Sequence, residues 1–170
     1  MKFTKKQIDR YSRQIILKKV GVIGQKKLLK ASVLIVGAGG LGSPIAIYLA
    51  ALGIGKIGIV DKDNIEISNL SRQIIFSTND LKKNKSSTAI SKLKKINPDI
   101  QFKSFNKKLT KKNINTIAKN FNLIVDGSDN FRTRFLINDY CLKNKKILIS
   151  GAISKFDGQV YTFNFSKKKS

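Results

Sequence analysis

The apolar run Val33-Leu34-Ile35-Val36 leads directly into Gly37-Ala38-Gly39-Gly40-Leu41-Gly42, and Pro44 follows two residues later. Four apolar residues closed by glycines read as a buried strand ending in a tight turn, and a proline there suits the first turn of a helix. In a strand-turn-helix unit of this kind each glycine has its own task. Gly37 permits the bend, Gly39 lets backbone approach a phosphate, and Gly42 lets the helix pack closely on the strand, with the helix N-terminus favouring the anion.

A G-x-G-x-x-G alone is shared by many nucleotide-binding chains, so its surroundings decide what it is for. Asp61 follows Gly42 by 19 residues, at the end of the next apolar strand, Ile57 to Val60, where a carboxylate can accept from ribose hydroxyls. Ser68-Asn69-Leu70-Ser71-Arg72-Gln73 comes close behind and adds a guanidinium and amides where a polyphosphate would extend. A nicotinamide-dependent oxidoreductase shares the glycine turn and is a less favoured alternative, because such an enzyme needs little after the ribose acid and leaves Asn69, Arg72 and Gln73 without a task.

The rest of the chain alternates strands and helices. Helices are expected over 4–18 and 25–30, then strands over 32–37, 56–61, 100–105, 122–126 and 146–150, with helices over about 41–53, 84–96, 111–120 and 130–144 between them. This order predicts an α/β, Rossmann-like, mostly parallel sheet with helices on both faces, preceded by N-terminal helices. A period-two pattern over 158–165 predicts one more strand. The expected divisions are a helical segment over 1–30, a nucleotide-binding domain over 31–165 and a polar tail over 166–170. No internal repeat is present. Ligands of such sheets gather at the carboxyl ends of strands, where Gly37, Asp61 and Asp126 all fall.

The formal charge is +24, from 34 basic and 10 acidic residues. Such an excess ordinarily points to nucleic acid or an anionic membrane. Here the lysines are scattered among Ile and Asn, the pattern of an AT-rich gene, so neither nucleic acid nor membrane is an expected partner. Only Arg10, Arg13, Arg72, Arg132 and Arg134 are arginine. Arginine kept against a lysine bias argues for the planar fork that lysine lacks. The absence of histidine from the sequence excludes imidazole acid-base chemistry and His-ligated metal. The single Cys141 reads as a small core residue and cannot form a structural zinc site alone. No apolar run reaches the roughly 18 residues of a membrane span and no secretory segment opens the chain, so a cytoplasmic location is expected.

Several spaced motifs together resemble the ThiF/MoeB/HesA family, relatives of the ubiquitin-activating enzymes. They are Arg10-Tyr11-Ser12-Arg13-Gln14, the glycine turn, Asp61-Lys62-Asp63, Ser68 to Gln73, Lys85, Asn97-Pro98, Asp126-Gly-Ser-Asp129-Asn130, Ser150-Gly-Ala152 and Gly158-Gln-Val160. The resemblance implies ATP-dependent adenylation of the C-terminal carboxylate of a ubiquitin-like sulfur carrier ending in Gly-Gly, in thiamine or molybdopterin synthesis. It implies ATP and Mg²⁺ as cofactors, Asp61 at the ribose, Asn69, Arg72 and Lys85 at the phosphates, and Asp129 at magnesium. Arg13 matches an arginine that family members insert into the partner subunit's site, so a homodimer is implied. The candidate nucleotide-binding set is Gly37, Gly39, Gly40, Gly42, Asp61, Asp63, Asn69, Arg72, Gln73, Lys85, Asp129 and Asn130. The candidate catalytic set is Arg13, Arg72, Lys85 and Asp129.

Plainer readings stand beside these. Asp63 and Asp126 also suit turn and helix caps, Lys85 by itself reads as a solvated surface lysine, Tyr11 reads as packing, and Arg132 and Arg134 read as helix-surface partners of Asp139 or another acid. Family members typically run on with paired C-x-x-C zinc motifs, a loop crossing the active site and carrier-receiving strands. Because Lys167 to Lys169 reads as an adenine run, where frames slip, the downstream DNA is expected to encode those parts in another frame. A non-catalytic nucleotide-binding or dimerising module is the alternative expectation.

Overall fold

The computed structural model describes residues 3–166. The expected tail residues Lys167 to Ser170 lie outside them. The chain opens with α1 (Lys5–Ile15) and α2 (Gly21–Lys30). It continues as β1 (Ser32–Val36), α3 (Gly42–Leu52), β2 (Lys56–Val60), α4 (Lys85–Ile96) and β3 (Gln101–Phe105). The remaining elements are α5 (Ile114–Ala118), β4 (Leu123–Asp126), α6 (Phe131–Lys143), β5 (Ile147–Ser154) and β6 (Asp157–Asn164). Two short 3₁₀ turns, Ile67–Asn69 and Thr78–Asp80, lie between β2 and α4.

The six strands form one sheet in the order β3-β2-β1-β4-β5-β6. All neighbours are parallel except β5 and β6, which are antiparallel. β1 occupies the centre and is buried along its whole length. Its successive side chains face opposite sides of the sheet, which explains the unbroken apolar run. Val33 and Ile35 join the core that includes Ala46, Ala50, Ile90 and Leu93 of α3 and α4. Leu34 and Val36 join the core that includes Ile117, Phe121, Ile137 and Cys141. The sheet is therefore covered by helices on both faces, as the alternation predicts.

α1 is attached through Tyr11, which is fully buried. Asn97 donates to its hydroxyl at 2.9 Å and to the Ala50 carbonyl at 2.8 Å, tying α1 to α3 and the end of α4. Arg10 adds a hydrogen bond to the Ile96 carbonyl at 3.0 Å. Burial pushes the Cys141 thiol up to about 12, so the lone cysteine behaves as a core residue.

Three elements depart from expectation. α5 is only five residues long, because Asn113 is occupied in a turn, accepting from the Thr110 amide and donating to the Lys108 carbonyl. α2 starts four residues early, at Gly21, whose φ of 57° only glycine adopts freely. β5 runs past Ser150 to Ser154 and turns into β6, forming a hairpin arm whose second strand is exposed throughout. Among the described residues no helix is long and apolar enough to cross a membrane.

Candidate active site

A cleft of about 500 Å³ opens at the carboxyl ends of β1, β2 and β4. The ends are level, since Val36 is paired with both Val60 and Asp126. Beyond Val36 the chain bends at Gly37, with φ of 92°, while its amide donates to the Val60 carbonyl at 2.9 Å. A Cβ at Gly37 would lie 2.9 Å from the Gly127 carbonyl oxygen, and one at Gly42 would lie 1.9 Å from the Gly37 carbonyl oxygen. Both glycines are therefore demanded by backbone packing. Gly39 differs, because a Cβ there would meet only Gln73 Nε2 at 3.9 Å. Its face toward the cleft is open, as a close phosphate approach requires.

Asp61 joins the second motif to the first. One carboxylate oxygen accepts from the Ala38 amide at 2.8 Å and the other from the Asp63 amide at 2.9 Å. Burial raises its pKa above the ordinary carboxylate value, opposed by those two amides and by the nearby Lys85 ammonium. Each oxygen retains a lone pair for a ligand hydroxyl.

The segment from 62 to 84 folds back beside the glycine turn. Asn69 anchors it: its side chain accepts from the Glu66 amide, and its carbonyl receives the Arg72 and Gln73 amides. The aliphatic stem of Arg72 consequently lies over Gly40, at 3.6 Å from where a Cβ would stand. Gln73 is 4% exposed, lines the cleft and has no partner for its Oε1 among the described residues.

Lys85 begins α4, its amide donating to the Asp63 carbonyl at 2.9 Å. Asn84 caps the helix and bonds the carbonyl of Asp63 and the side chain of Asn106, joining three cleft segments. The result is a lysine 7% exposed that lines the cleft. Among the described residues its ammonium makes no hydrogen bond or ion pair. A surface lysine is thus the wrong description of Lys85. Asp63 is exposed and paired with Lys62 at 2.7 Å. Asp129 and Asn130 also line the cleft, and Asn130 caps α6 by accepting from the Thr133 amide.

Three expected residues do not line the cleft of their own chain: Gly42 lies beneath the turn, Asn69 braces Arg72 and Gln73, and Arg13 is exposed on α1. Asp126 is 1% exposed and caps the β4–α6 turn, accepting from the Ser128 amide and hydroxyl, which agrees with its plainer reading. Arg134 corrects the surface reading. It lines the cleft, and its guanidinium turns inward to the carbonyls of Ser128 and Gly151. Lys107, Lys108 and Leu109 after β3, and Ile153 near the end of β5, also line it. The rule that ligands gather at strand ends, applied to β3 and β5, would have found them.

Among the described residues no three carboxylate, His or Cys side chains gather to hold a metal. Asp129 is nonetheless suited to magnesium. It is exposed, and its carboxylate accepts only from its neighbour Asn130, at 3.2 Å. Magnesium commonly takes one or two carboxylates and completes its octahedron with water and substrate phosphates.

The ThiF family model matches residues 11–170. A sulfur carrier protein adenylyltransferase of Thermus thermophilus is 45% identical over 164 residues, covering 96% of this chain and 60% of the relative. A probable molybdopterin-synthase adenylyltransferase of Porphyra purpurea is 48% identical over 163 residues, covering 96% of this chain and 43% of the relative. Among solved structures, E. coli MccB with ATP superposes with a TM-score of 0.77 at 31% identity, over 84% of this chain and 44% of MccB. The chain thus spans about half the length of these relatives. With the glycine turn, the Asp61 strand end and the Asp126 to Asn130 turn assembled around one cleft, and the match running through nearly all of its residues, the chain belongs to the ThiF family.

Proposed function

We propose that this domain binds ATP with magnesium and adenylates the C-terminal carboxylate of a ubiquitin-like sulfur carrier ending in Gly-Gly. The observation that carries the reading is Lys85, a residue only 7% exposed that lines the same cleft as Gly39 and whose ammonium makes no hydrogen bond or ion pair among the described residues. An ammonium carries three donors and no acceptor, so those of Lys85 are available to an anion in the cleft. With Arg72 above Gly40, it marks a place for phosphate.

The reaction needs no general base. A C-terminal carboxylate, with a pKa of about 3.5, is ionised at neutral pH. One of its oxygens attacks the α-phosphorus, the bond from that phosphorus to the bridging oxygen breaks, and pyrophosphate leaves with the bonding pair. Asp61 holds the ribose, and the glycine turn, Arg72 and Lys85 orient the phosphates and stabilise the charge that develops on them. Magnesium, when bound, shields phosphate charge, and Asp129, with Asn130 next to it, is the carboxylate that would hold it.

Arg13 belongs to the cleft of a second copy in this reading, so the working unit is a homodimer. Ile16, Leu17 and Ile23 are exposed close to it on the N-terminal segment, which supports a protein interface there. The test is release of pyrophosphate from ATP in the presence of a Gly-Gly-ending carrier. Carrier-dependent release supports adenylation. Binding of ATP without release identifies a nucleotide-binding module instead.

A further inference from the structure

Arg134 sits in the first turns of α6, four residues past the cap Asn130. Its Nη2 donates to the Ser128 carbonyl at 2.6 Å and to the Gly151 carbonyl at 2.8 Å, and its Nη1 to Ser150 Oγ at 3.4 Å. The buried Asp126 carboxylate is 4.0 Å away and accepts from Ser150 Oγ at 3.0 Å. One guanidinium therefore spans the end of β4, the turn into α6 and the continuing strand β5.

The reason lies in the sheet. β4 and β5 are in register up to Asp126 and Ser150, and there they part. β4 turns away toward α6, while β5 runs on into the hairpin with β6. Past the last ladder pair, the Ser128 and Gly151 carbonyls are bridged by Arg134 Nη2. The Ser128 carbonyl belongs to the peptide group that carries the Asp129 nitrogen. Holding that carbonyl fixes the peptide plane from which Asp129 enters the cleft.

We propose that Arg134 is a positioning residue for Asp129, setting where its carboxylate meets the metal-nucleotide. The inference rests on the magnesium-ATP reading of the cleft. It also explains why arginine stands here in a chain so rich in lysine: a single ammonium nitrogen cannot hold both carbonyls, as Nη2 does, while a second nitrogen faces Ser150 Oγ and the Asp126 carboxylate, as Nη1 does.

The test compares wild type, Arg134→Gln, Arg134→Lys and Asp129→Ala. ATP affinity is measured by calorimetry with and without magnesium, and amide hydrogen exchange of the ligand-free proteins is followed over 127–131. The readout is the factor by which magnesium tightens ATP binding. In Arg134→Gln that factor should fall by roughly ten- to a hundredfold, the usual loss when a group orienting a metal ligand is removed. It should approach the factor of Asp129→Ala, while magnesium-free affinity stays near wild type. The amides of Asp129 and Asn130 should exchange faster, and Arg134→Lys should fall between the two. If Arg134→Gln does not fold, Arg134→Lys is judged by the same two readouts. An unchanged magnesium factor, an equal loss with and without magnesium, or unchanged exchange at the turn would overturn the positioning role. Failure of the wild type itself to bind ATP would overturn the nucleotide reading, and this proposal with it.

Discussion

The carboxylate of Asp61 accepts the amide of Ala38 at 2.8 Å, so two sequence motifs 23 residues apart form one structural unit. The contact rigidifies the glycine turn from the side that would face a ribose. It makes Asp61 a brace for the turn as well as the proposed ribose contact.

Asp61→Ala and Arg72→Ala should each weaken ATP-magnesium binding. Loss of a charge-assisted hydrogen bond costs on the order of 1.5 to 3 kcal/mol, about a tenfold to hundredfold drop in affinity. Arg72→Lys should also be impaired, because a point charge does not reproduce the fork. Calorimetry giving wild-type affinity for Asp61→Ala and Arg72→Ala would refute the site assignment.

Two glycines of the same turn should respond differently to alanine. Gly42→Ala places a methyl 1.9 Å from a backbone oxygen, so its destabilisation should reach at least the upper part of the roughly 1 to 3 kcal/mol range for overpacked sites. Gly39→Ala meets only the Gln73 side chain, at 3.9 Å, and should melt near wild type while binding ATP more weakly. Equal melting temperatures for the two variants would contradict this account of the turn.

Arg13 and Asp129 should complement across a dimer. Each of Arg13→Ala and Asp129→Ala alone is expected to lose pyrophosphate release, whereas mixed heterodimers regain one intact cleft. No recovery in mixtures proven to form heterodimers would remove Arg13 from the partner's site.

Asp80 supplies an acid-sensitive contact remote from the cleft. Burial works against its charge, but hydrogen bonds from Lys92 and Ser77 hold its carboxyl at about 2, below the ordinary 3.8. Because the folded-state pKa is the lower one, the stabilisation is complete above the ordinary value and is lost as pH falls from about 4 through 2. Asp80→Asn should therefore lower the melting temperature at pH 7, with the gap to wild type closing over that acid window. A gap independent of pH would show that the ion pair contributes nothing.

Much of the architecture was legible because it depends on local pattern. β1 reads as a strand because both of its faces are buried, and Gly37 and Gly42 read as a turn because no side chain fits there. Lys85 was legible only through the family resemblance, and Arg134 was read as a surface residue. No local period separates Lys85 from the other lysines on helices, and the scarcity of arginine did not by itself separate Arg134 from Arg132. Lys85 is buried because the 62–84 segment folds back over it, and Arg134 turns inward because two strands diverge in front of it.

The sequence by itself determined the alternation of strands and helices, the glycine turn and the residue types available at the strand ends. These follow from side-chain volume, backbone freedom and hydrophobic period, all set within a few residues. Tertiary structure alone decided which strand ends stand level and which of many lysines is drawn into the cleft. It also left Arg13 outside its own chain's cleft. Burial and hydrogen bonding at those places come from contacts between distant segments, such as Asp61 with Ala38 or Arg134 with Gly151, and no local period encodes them.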